Sequence, residues 1–324
     1  MLREKRFKSI VHSVEWDILE GKYKLGDRIP SINFWKSKTG LSRSSVVLAM
    51  EELKSRGLVE SEQSVGYFVS STRVEIAHRI LLIFNELNSF KQDLYNSFLN
   101  TLGHNAMVDL DLHNFNRKSF DMLLEEEAGK YSIYVIMAGR FENLEQQLRK
   151  LGGRVILVDH CQDSLRGSFS SVTQNFAMDV YDALVSGLPQ LSKYRELVLV
   201  QSSPKEPLER YDGVQLFCKD YGFECGFLKS MEGFPIRPGV VYLTPEDREI
   251  VNIELAARAQ GLKAGRDYGL VAFNEQVTNE ILCGGLTTIS TDFVQMGKTL
   301  VDLIKDKDIR TVRNPSKLIL RNSL

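Results

Sequence analysis

The chain has 324 residues, of which 43% are hydrophobic and 26% are charged, and its formal net charge is −1. With 23 Gly and 8 Pro it is neither collagen-like nor of low complexity, and its apolar content excludes wholesale disorder. The length leaves room for two or three domains. Four cysteines, none in a CxxC pair, are too few for a disulfide scaffold, so we interpret them as buried thiols. Because no signal peptide or membrane-spanning stretch is visible, we expect a cytoplasmic protein.

The first seventy residues predict three helices followed by a two-stranded hairpin. Apolar residues recur at helical spacing in the first and third helices, and glycines mark the segment ends. In chain order, the predicted elements are helices over about 5–20, 31–39 and 43–56 and strands at 58–60 and 67–69. This is the order of a winged helix-turn-helix, whose third helix projects its N-terminus into a DNA major groove.

Four motifs follow one another in this region, namely ILEGKY at 18–23, GDRIPS at 26–31, LSRSSV at 41–46 and LKSRGLV at 53–59. In order and spacing they resemble the GntR family of DNA-binding regulators. The resemblance implies DNA contacts at Ser31, Ser42, Arg43 and Ser45 and at the wing around Gly66. The chain departs from the usual family pattern after Ser31 and at Val47, so no operator sequence is carried over from relatives.

A basic N-terminus adds an electrostatic argument. Residues 1–75 hold 13 Lys and Arg against 10 Asp and Glu, and Arg3 and Lys5 are among four bases in the first eight residues. Such clustering suits contacts to DNA phosphates, and we count both side chains as DNA-binding candidates. On charge alone, a solvated basic face that binds no partner is as good an explanation as DNA binding.

From residue 80 onwards, short apolar runs alternate with amphipathic helices. The predicted strands are 80–84, 108–112, 133–137, 155–158, 197–200, 240–243 and 270–273, and the predicted helices are 90–102, 142–151, 176–187, 206–221 and 246–261. Runs this apolar indicate parallel sheets covered on both faces. Since about 245 residues exceed one open sheet, we predict two α/β lobes with a ligand cleft between them. The predicted domains are residues 1–72 (winged helix-turn-helix), 73–79 (linker) and 80–324 (two-lobed domain).

Polar residues follow four of these strands, where parallel sheets bind their ligands. The candidates are Asn85, Asp159, Glu246, Asp247 and Asn274. Each alone fits an ordinary loop residue or helix cap, but four such sites together favour a cleft.

Several short segments recur along this part of the chain, including VDH at 158–160, SVT at 171–173, RYDG at 210–213, VAFNE at 271–275 and LTTI at 286–289. With them, this part resembles the effector domain of LacI-type regulators, which is related to periplasmic sugar-binding proteins. The resemblance implies a periplasmic-binding-protein-like fold and ligand contacts at Asp159, Arg210, Glu246 or Asp247, and Asn274. The family more often has Asp at the position of Asn274.

These residue types suit a sugar, because carboxylates and amides bind hydroxyl groups and Arg donates to adjacent oxygens. Three positions have a structural alternative. Phe90 either stacks on a sugar ring or packs in the core, and His160 is a ligand contact or a structural residue. Arg210 either binds the ligand or pairs on the surface with Glu206 or Glu209.

No motif points to catalysis. The GKT at 297–299 lacks the earlier glycine of a phosphate-binding loop, because Asp292 stands there. We therefore predict a non-enzymatic transcription repressor without cofactor, metal or membrane association. It binds a (pseudo)palindromic double-stranded DNA operator as a homodimer and responds to a monosaccharide or sugar phosphate. The alternative is a sugar-binding module whose N-terminal domain contacts another protein.

Overall fold

The computed structural model describes residues 4–19, 21–62, 65–72, 78–103, 106–306 and 308–324. Contacts divide the chain into two compact units, residues 1–78 with 105–107 and residues 79–104 with 108–324. Residues 73–77 of the predicted linker lie outside the described residues, so the domain boundaries stay a prediction.

The N-terminal unit is a winged helix-turn-helix, which confirms the predicted fold. Its elements are α1 (Glu4–Leu19), α2 (Ile32–Thr39), α3 (Arg43–Ser55), β1 (Val59–Glu62) and β2 (Gly66–Val69). The two strands pair antiparallel. The apolar faces of the helices meet in a core that includes the fully buried Trp35, Met50 and Leu53. Gly40 ends α2 in a left-handed conformation, at φ 67°, which makes the sharp turn into α3.

The C-terminal unit alternates strands and helices, as predicted. Its strands are β3 (His78–Phe84), β4 (Ala106–Leu112), β5 (Ile133–Ile136), β6 (Arg154–Asp159), β7 (Ser170–Thr173), β8 (Glu196–Val200), β9 (Glu224–Leu228), β10 (Val240–Thr244), β11 (Gly269–Phe273), β12 (Thr287–Thr291), β13 (Thr311–Arg313) and β14 (Ser316–Ile319). Its helices are α4 (Ser89–Leu102), α5 (Arg117–Glu127), α6 (Glu145–Arg149), α7 (Phe176–Ser186), α8 (Leu188–Leu191), α9 (Glu209–Tyr221), α10 (Asp247–Ala259) and α11 (Phe293–Lys305).

The strands form two six-stranded sheets, which confirms the two-lobed α/β prediction. Lobe 1 has the order β13-β7-β6-β5-β3-β4, and lobe 2 has the order β14-β12-β11-β10-β8-β9. The core strands β5, β6, β8, β10 and β11 pair in parallel, whereas β14 runs antiparallel to β12. Helices cover the sheet faces, so the strands are buried on both sides.

The described chain crosses between the lobes at three places. The crossings are residues 174–175, 291–292 and 314–315. Side chains and backbone tie them together. The Thr291 hydroxyl bonds to Gln174, and the Asn314 backbone N–H donates to the Thr173 carbonyl at 2.8 Å. These bonds join three separate chain segments into one connection between the lobes.

Several details differ from the prediction. The helix predicted over 142–151 shortens to α6, because Asn143 adopts a left-handed backbone at φ 59°. Cys225 is exposed, since it lies on β9 at the edge of its sheet, and Cys283 is half-buried. The interpretation of all four cysteines as buried thiols is therefore wrong for these two.

Within the described ranges, no helix has both the length and the apolarity needed to cross a membrane. Over the same ranges, the structure places no three His, Cys, Asp or Glu side chains together as a metal site.

Candidate functional site

The recognition surface of the winged helix-turn-helix begins where α3 starts. The Ser42 hydroxyl caps this helix by accepting a hydrogen bond from the Ser45 backbone N–H at 3.3 Å. Arg43 and Ser44 are exposed on the first turn, and Leu48 is exposed one turn later. Ser45 is only 7% exposed, and its Oγ lies 2.9 Å from the Ser42 Oγ. The predicted DNA contact at Ser45 therefore falls on the packed side of α3, and Ser44 and Leu48 occupy the open side.

Other predicted DNA contacts lie at the edges of this surface or outside the description. Ser31 caps α2 by accepting from the Phe34 backbone N–H at 3.3 Å, and it is exposed. Arg3 lies outside the described residues, and the side chain of Lys5, in α1, does too. The predicted roles of Arg3 and Lys5 stay predictions.

The wing places Gly66 beside an arginine that the sequence analysis missed. Gly66 begins β2 at φ 151°, and a Cβ there would lie 2.9 Å from Arg28 Nε. The Arg28 guanidinium also donates to the Val65 carbonyl oxygen. The backbone conformation favours glycine at this position, and a side chain there would also make the Arg28 guanidinium move.

A cleft of about 480 Å³ lies between the two lobes of the C-terminal unit. Five of the predicted effector residues line it, namely Asn85, Phe90, Asp159, Arg210 and Asn274. They come from both lobes and follow or end buried strands, or begin the helices after them. The structure therefore brings together side chains that are up to 189 positions apart in the sequence, from 85 to 274.

Glu246 and Asp247, also predicted as effector contacts, do not line this cleft. The Glu246 carboxylate accepts hydrogen bonds from the backbone N–H groups of Ser202 at 2.6 Å and Ser203 at 2.9 Å. Asp247 is exposed, and its carboxylate lies 3.4 Å from the Gln276 side chain. Glu246 instead holds the turn after β8, which is a structural role.

Unusual backbone conformations concentrate at the cleft. Six described non-glycine residues have positive φ, and four of them line the cleft: Asn114 (49°), Phe115 (57°), Asp159 (76°) and Asn274 (62°). Such conformations cost about 1–3 kcal/mol each and persist where the surroundings impose them, which is typical of ligand sites. Asn and Asp tolerate them better than most residues.

Arg210 forms part of the cleft wall. Its side chain is 6% exposed, pairs with the Glu206 carboxylate, and stacks with its guanidinium carbon 4.6 Å from the Phe273 ring centroid. The pairing of Arg210 with Glu206, which was predicted as the structural alternative to ligand binding, is therefore present. It lies inside the cleft rather than on the surface. A buried, oriented guanidinium is suited to bind adjacent hydroxyl oxygens.

Aromatic rings form the apolar walls. Phe90 is half-buried and packs on Phe293, with ring centroids 4.9 Å apart, so it combines a packing role with a place in the cleft lining. His160 stacks parallel to Phe176 at 6.2 Å, and its Nδ1 lies 3.1 Å from the Gly139 carbonyl oxygen. Flat aromatic faces beside a few polar groups are the usual lining of a small-molecule site.

The cleft contains a buried lysine that the sequence did not reveal. The Lys91 Nζ lies 2.6 Å from Asn85 Oδ1 and 3.6 Å from Glu86 Oε1, and the residue is 6% exposed. A lysine in the first turn of a predicted amphipathic helix carries no signal of burial. The only hint is the pair of polar residues, Asn85 and Glu86, that ends the preceding strand.

His113 is a second buried residue that the sequence did not reveal. Burial lowers its pKa, and the nearby Lys91 charge lowers the pKa further. The neutral ring donates from Nε2 to the Met137 carbonyl oxygen at 2.9 Å, and within the described residues Nδ1 has no hydrogen-bond partner. His113 therefore contributes a neutral hydrogen-bonding ring to the cleft lining.

Ion pairs connect the two lobes at the cleft. Arg140 of lobe 1 pairs with Glu209 of lobe 2, and Lys205 Nζ of lobe 2 lies 3.8 Å from Glu86 Oε2 of lobe 1. The Lys205 ammonium also lies 4.9 Å from the Phe115 ring centroid. The lobes thus contact each other through charged side chains, of which Glu86, Arg140 and Lys205 also line the cleft.

Comparison with known proteins identifies the N-terminal domain. Residues 7–69 match the family described as bacterial regulatory proteins, gntR family. This domain belongs to the GntR family. The matched range covers the three helices and the wing of the GntR domain, and it includes the four motifs on which the resemblance was based.

Solved structures resemble the two-lobed unit that follows the GntR domain. A LacI family transcriptional regulator from Silicibacter pomeroyi aligns with a TM-score of 0.64 at 13% identity, over 76% of this chain and 98% of that one. A LacI family regulator from Enterococcus faecalis V583, with bound ribose, aligns at 0.62 and 18% identity over 76% and 98%. A periplasmic binding protein/LacI transcriptional regulator from Alkaliphilus metalliredigens QYMF, complexed with D-xylulofuranose, aligns at 0.62 and 13% over 76% and 98%.

At these identities the likeness shows the fold, which is that of LacI-type regulators. A search of curated proteins found no significant match to the chain. A GntR domain followed by a LacI-like domain is the architecture of a transcription regulator.

Proposed function

We propose that this protein is a repressor that binds a (pseudo)palindromic operator as a homodimer and is controlled by a monosaccharide bound in the cleft. The α3 surface with Arg43, Ser44 and Leu48 reads the major groove, and the wing at Gly66 contacts the backbone or the adjacent groove. Ser31 and Ser42 lie beside helix N-termini, where backbone N–H groups and a hydroxyl favour phosphate oxygens. A dimer seated on the operator blocks the promoter, which is why repression is the direction proposed.

The observation that carries the effector proposal is the convergence of Asp159, Arg210 and Asn274 on one cleft between the lobes. Together they offer a carboxylate, a guanidinium and an amide, which bind neighbouring hydroxyl groups on a sugar. Phe90 supplies a flat apolar surface for the ring. That two regulators of the same fold hold ribose and D-xylulofuranose supports the same class of ligand here.

The charges favour a neutral sugar over its phosphate. The four cations that line the cleft each have a carboxylate within ion-pair distance; they are Lys91, Arg140, Lys205 and Arg210. A phosphate would have to displace these carboxylates or accept their repulsion, which costs free energy in a partly desolvated site. A neutral polyol needs no such rearrangement.

A titration tests the DNA-binding half of the proposal. A fluorescent duplex from the region upstream of the gene is titrated with the full chain, and anisotropy gives the Kd. We expect Arg43→Ala to weaken binding by about tenfold or more, since one base or phosphate contact of an arginine is worth about 1–3 kcal/mol. Arg166→Ala, which removes an exposed arginine from lobe 1, is the matched control and should leave the Kd unchanged.

The effector half uses thermal shift with neutral monosaccharides and with their phosphates. A sugar that raises the melting temperature binds the folded chain. If it is the effector, it should also move the DNA-binding midpoint, because it then binds the free and the DNA-bound protein with different affinities. Stabilisation by phosphorylated sugars alone would contradict the neutral-ligand proposal. DNA binding that is equal in the wild type and Arg43→Ala, or insensitive to salt, would favour a protein-contacting role for the N-terminal domain.

A further inference from the structure

Two cysteines on neighbouring elements of lobe 2 face each other. Cys218 lies in the third turn of α9, and Cys225 is the second residue of β9. Cys225 pairs in register with Leu197 of β8, and Leu197 belongs to the same buried cluster as Cys218. Since register partners point to the same face of a sheet, Cys225 points toward α9. The two sulfur atoms are within hydrogen-bond reach of each other.

Their surroundings differ in a way that separates their roles. Cys218 is 2% exposed, whereas Cys225 is exposed at the edge of the sheet. The chain between them makes a tight turn, in which the Phe223 backbone N–H donates to the Cys218 carbonyl at 3.0 Å. The Cys225 thiol is thus open to solvent, whereas the neighbouring Cys218 thiol is buried.

We propose that Cys218 and Cys225 form an oxidation site, at which a hydroperoxide converts the two thiols into one intramolecular disulfide. The Cys225 thiolate attacks a peroxide oxygen, the O–O bond breaks, and with hydrogen peroxide the products are a sulfenic acid and, after protonation, water. The Cys218 sulfur then attacks the Cys225 sulfur, the S–O bond breaks, and a second water leaves with the Cys218 proton. Both sulfurs are oxidised by one electron each, and one peroxide is reduced.

The order of attack follows from thiolate character. Hydrogen bonding from the Cys218 and Tyr211 side chains lowers the pKa of Cys225 to about 7. The Cys218 Sγ also lies 3.6 Å from the Glu224 carbonyl oxygen, to which it donates. The pKa of Cys218 is raised, by its hydrogen bond to Cys225 and by burial. Cys225 is therefore the thiolate that reacts first, and Cys218 stays a thiol until a sulfenic acid forms beside it.

The other two cysteines lack this arrangement. Burial raises the pKa of Cys161, and burial together with the Glu254 carboxylate raises the pKa of Cys283 to about 12. The oxidation site also lies apart from the cleft residue on the same helix. Cys218 follows Arg210 by eight positions, which is about 12 Å along an α-helix.

Peptide mapping tests this directly, because Lys219 separates the two cysteines. Trypsin yields YDGVQLFCK (211–219) and DYGFECGFLK (220–229). After treatment of the full native chain with hydrogen peroxide and blocking of free thiols, we expect these two peptides joined by a disulfide that a reductant removes. Each chain loses two thiols and stays free of cross-links to other chains. The control Cys283→Ala should give the same joined pair.

A second variant tests the roles of the two sulfurs. In Cys218→Ala the sulfenic acid on Cys225 has no partner and should be captured by dimedone on peptide 220–229. In the wild type, the alkylation rate of Cys225 should rise with pH through a midpoint near 7, whereas an ordinary thiol has its midpoint near 8.5. Conversion of Cys225 to sulfinic acid with Cys218 still a free thiol, or disulfides formed only between chains, would overturn the proposal.

Discussion

Asp159 and Asn274 show how a single residue can serve both backbone geometry and binding. Each ends or follows a strand in a different lobe, each has a left-handed backbone, and each lines the cleft. A left-handed residue turns the chain sharply out of the sheet, so the side chain is presented beyond the strand end. Asn and Asp are the residues besides glycine that accept this conformation most readily, and they also bind hydroxyl groups. The same two residue types therefore suit both the left-handed turn and hydrogen bonding to a ligand.

The two contributions of Asn274 are separable by experiment. Asn274→Gly keeps the left-handed turn but removes the amide, so the free energy of unfolding should change by less than about 1 kcal/mol. Sugar affinity should fall about tenfold, because a lost hydrogen bond is worth about 1.5 kcal/mol. Urea unfolding and calorimetric titration with the sugar found by thermal shift measure the two quantities.

Asn143→Gly is the matched control for that variant. Asn143 also has a positive φ, of 59°, but it does not line the cleft. Its change to glycine should leave the sugar Kd as it is. An unchanged Kd in Asn274→Gly would remove Asn274 from the effector site.

At the scale of elements, the sequence predicted those strands that are continuous apolar runs. Every predicted run became a strand, but five strands were not predicted, namely β7, β9, β12, β13 and β14. Of these, β7 and β12 were missed because serine and threonine dominate them, as in Ser170–Thr173 and Thr287–Thr291. Both are buried, and their hydroxyls are bonded within the fold; the Thr287 hydroxyl, for example, donates to the Arg321 carbonyl at 3.1 Å. Hydropathy alone does not detect a buried strand whose polar groups are satisfied by distant partners.

The same limit explains the outcome at the cleft. Positions after apolar strands were predictable, and Asn85, Asp159 and Asn274 do line the cleft. Glu246 was indistinguishable from them in sequence, but its carboxylate is bound to the backbone of the 202–203 turn. Whether a residue at a strand end lines the cleft depends on how the loops after the neighbouring strands fold. The spacing of residues along the sequence does not contain this information.

Helix packing supplies the prediction at this scale. Gly297 of α11 lies against α4, and a Cβ there would be 2.6 Å from the Leu94 carbonyl oxygen and 2.8 Å from the Phe98 nitrogen. We expect Gly297→Ala to lower the free energy of unfolding by about 1–3 kcal/mol, because the α4 backbone has to move. At an open helix position the same change would stabilise by about 1 kcal/mol, so the sign of the result is decisive.

Chemical denaturation measures this effect, and Lys298→Ala is the neighbouring control. Lys298 is exposed on the same helix, and its change should stay within about 0.5 kcal/mol of wild type. A stabilised Gly297→Ala variant would show that α4 and α11 are not in such close contact.

At the scale of the whole molecule, the two ion pairs that join the lobes at the cleft are partly exposed. Both side chains of the Arg140–Glu209 pair are more than a third exposed, and the Lys205–Glu86 pair is as open. Exposed pairs of this kind contribute about 0–1 kcal/mol each. A ligand that bonds to both lobes therefore has enough binding energy to shift the equilibrium between two arrangements of the lobes. Its effect on DNA affinity is limited to the difference between its affinities for these two arrangements.

The proposed homodimer has a candidate surface on lobe 2. Val251 and Leu255 lie one turn apart on α10, and each is at least half exposed. Val277 and Ile281, on the segment after β11, are 87% and 78% exposed. The two segments are neighbours, since Cys283 Sγ, at the end of that segment, lies 3.3 Å from a Glu254 carboxylate oxygen. Side chains this apolar on adjoining segments are typical of an interface, and a two-fold axis would place each copy's surface on the other's.

We expect a charge on this surface to separate the copies. The double variant Leu255→Asp/Ile281→Asp buries two unpaired carboxylates per chain in the proposed interface, so sedimentation equilibrium at micromolar concentration should give a dimer for wild type and a monomer for the variant. Val294→Asp, which changes an exposed valine on α11, should stay dimeric.

Because a two-fold operator is read by two α3 helices, the monomer should lose more than about tenfold in affinity for the full site and keep its affinity for a half-site. A wild type that sediments as a monomer, or a double variant that remains a dimer, would move the interface away from α10.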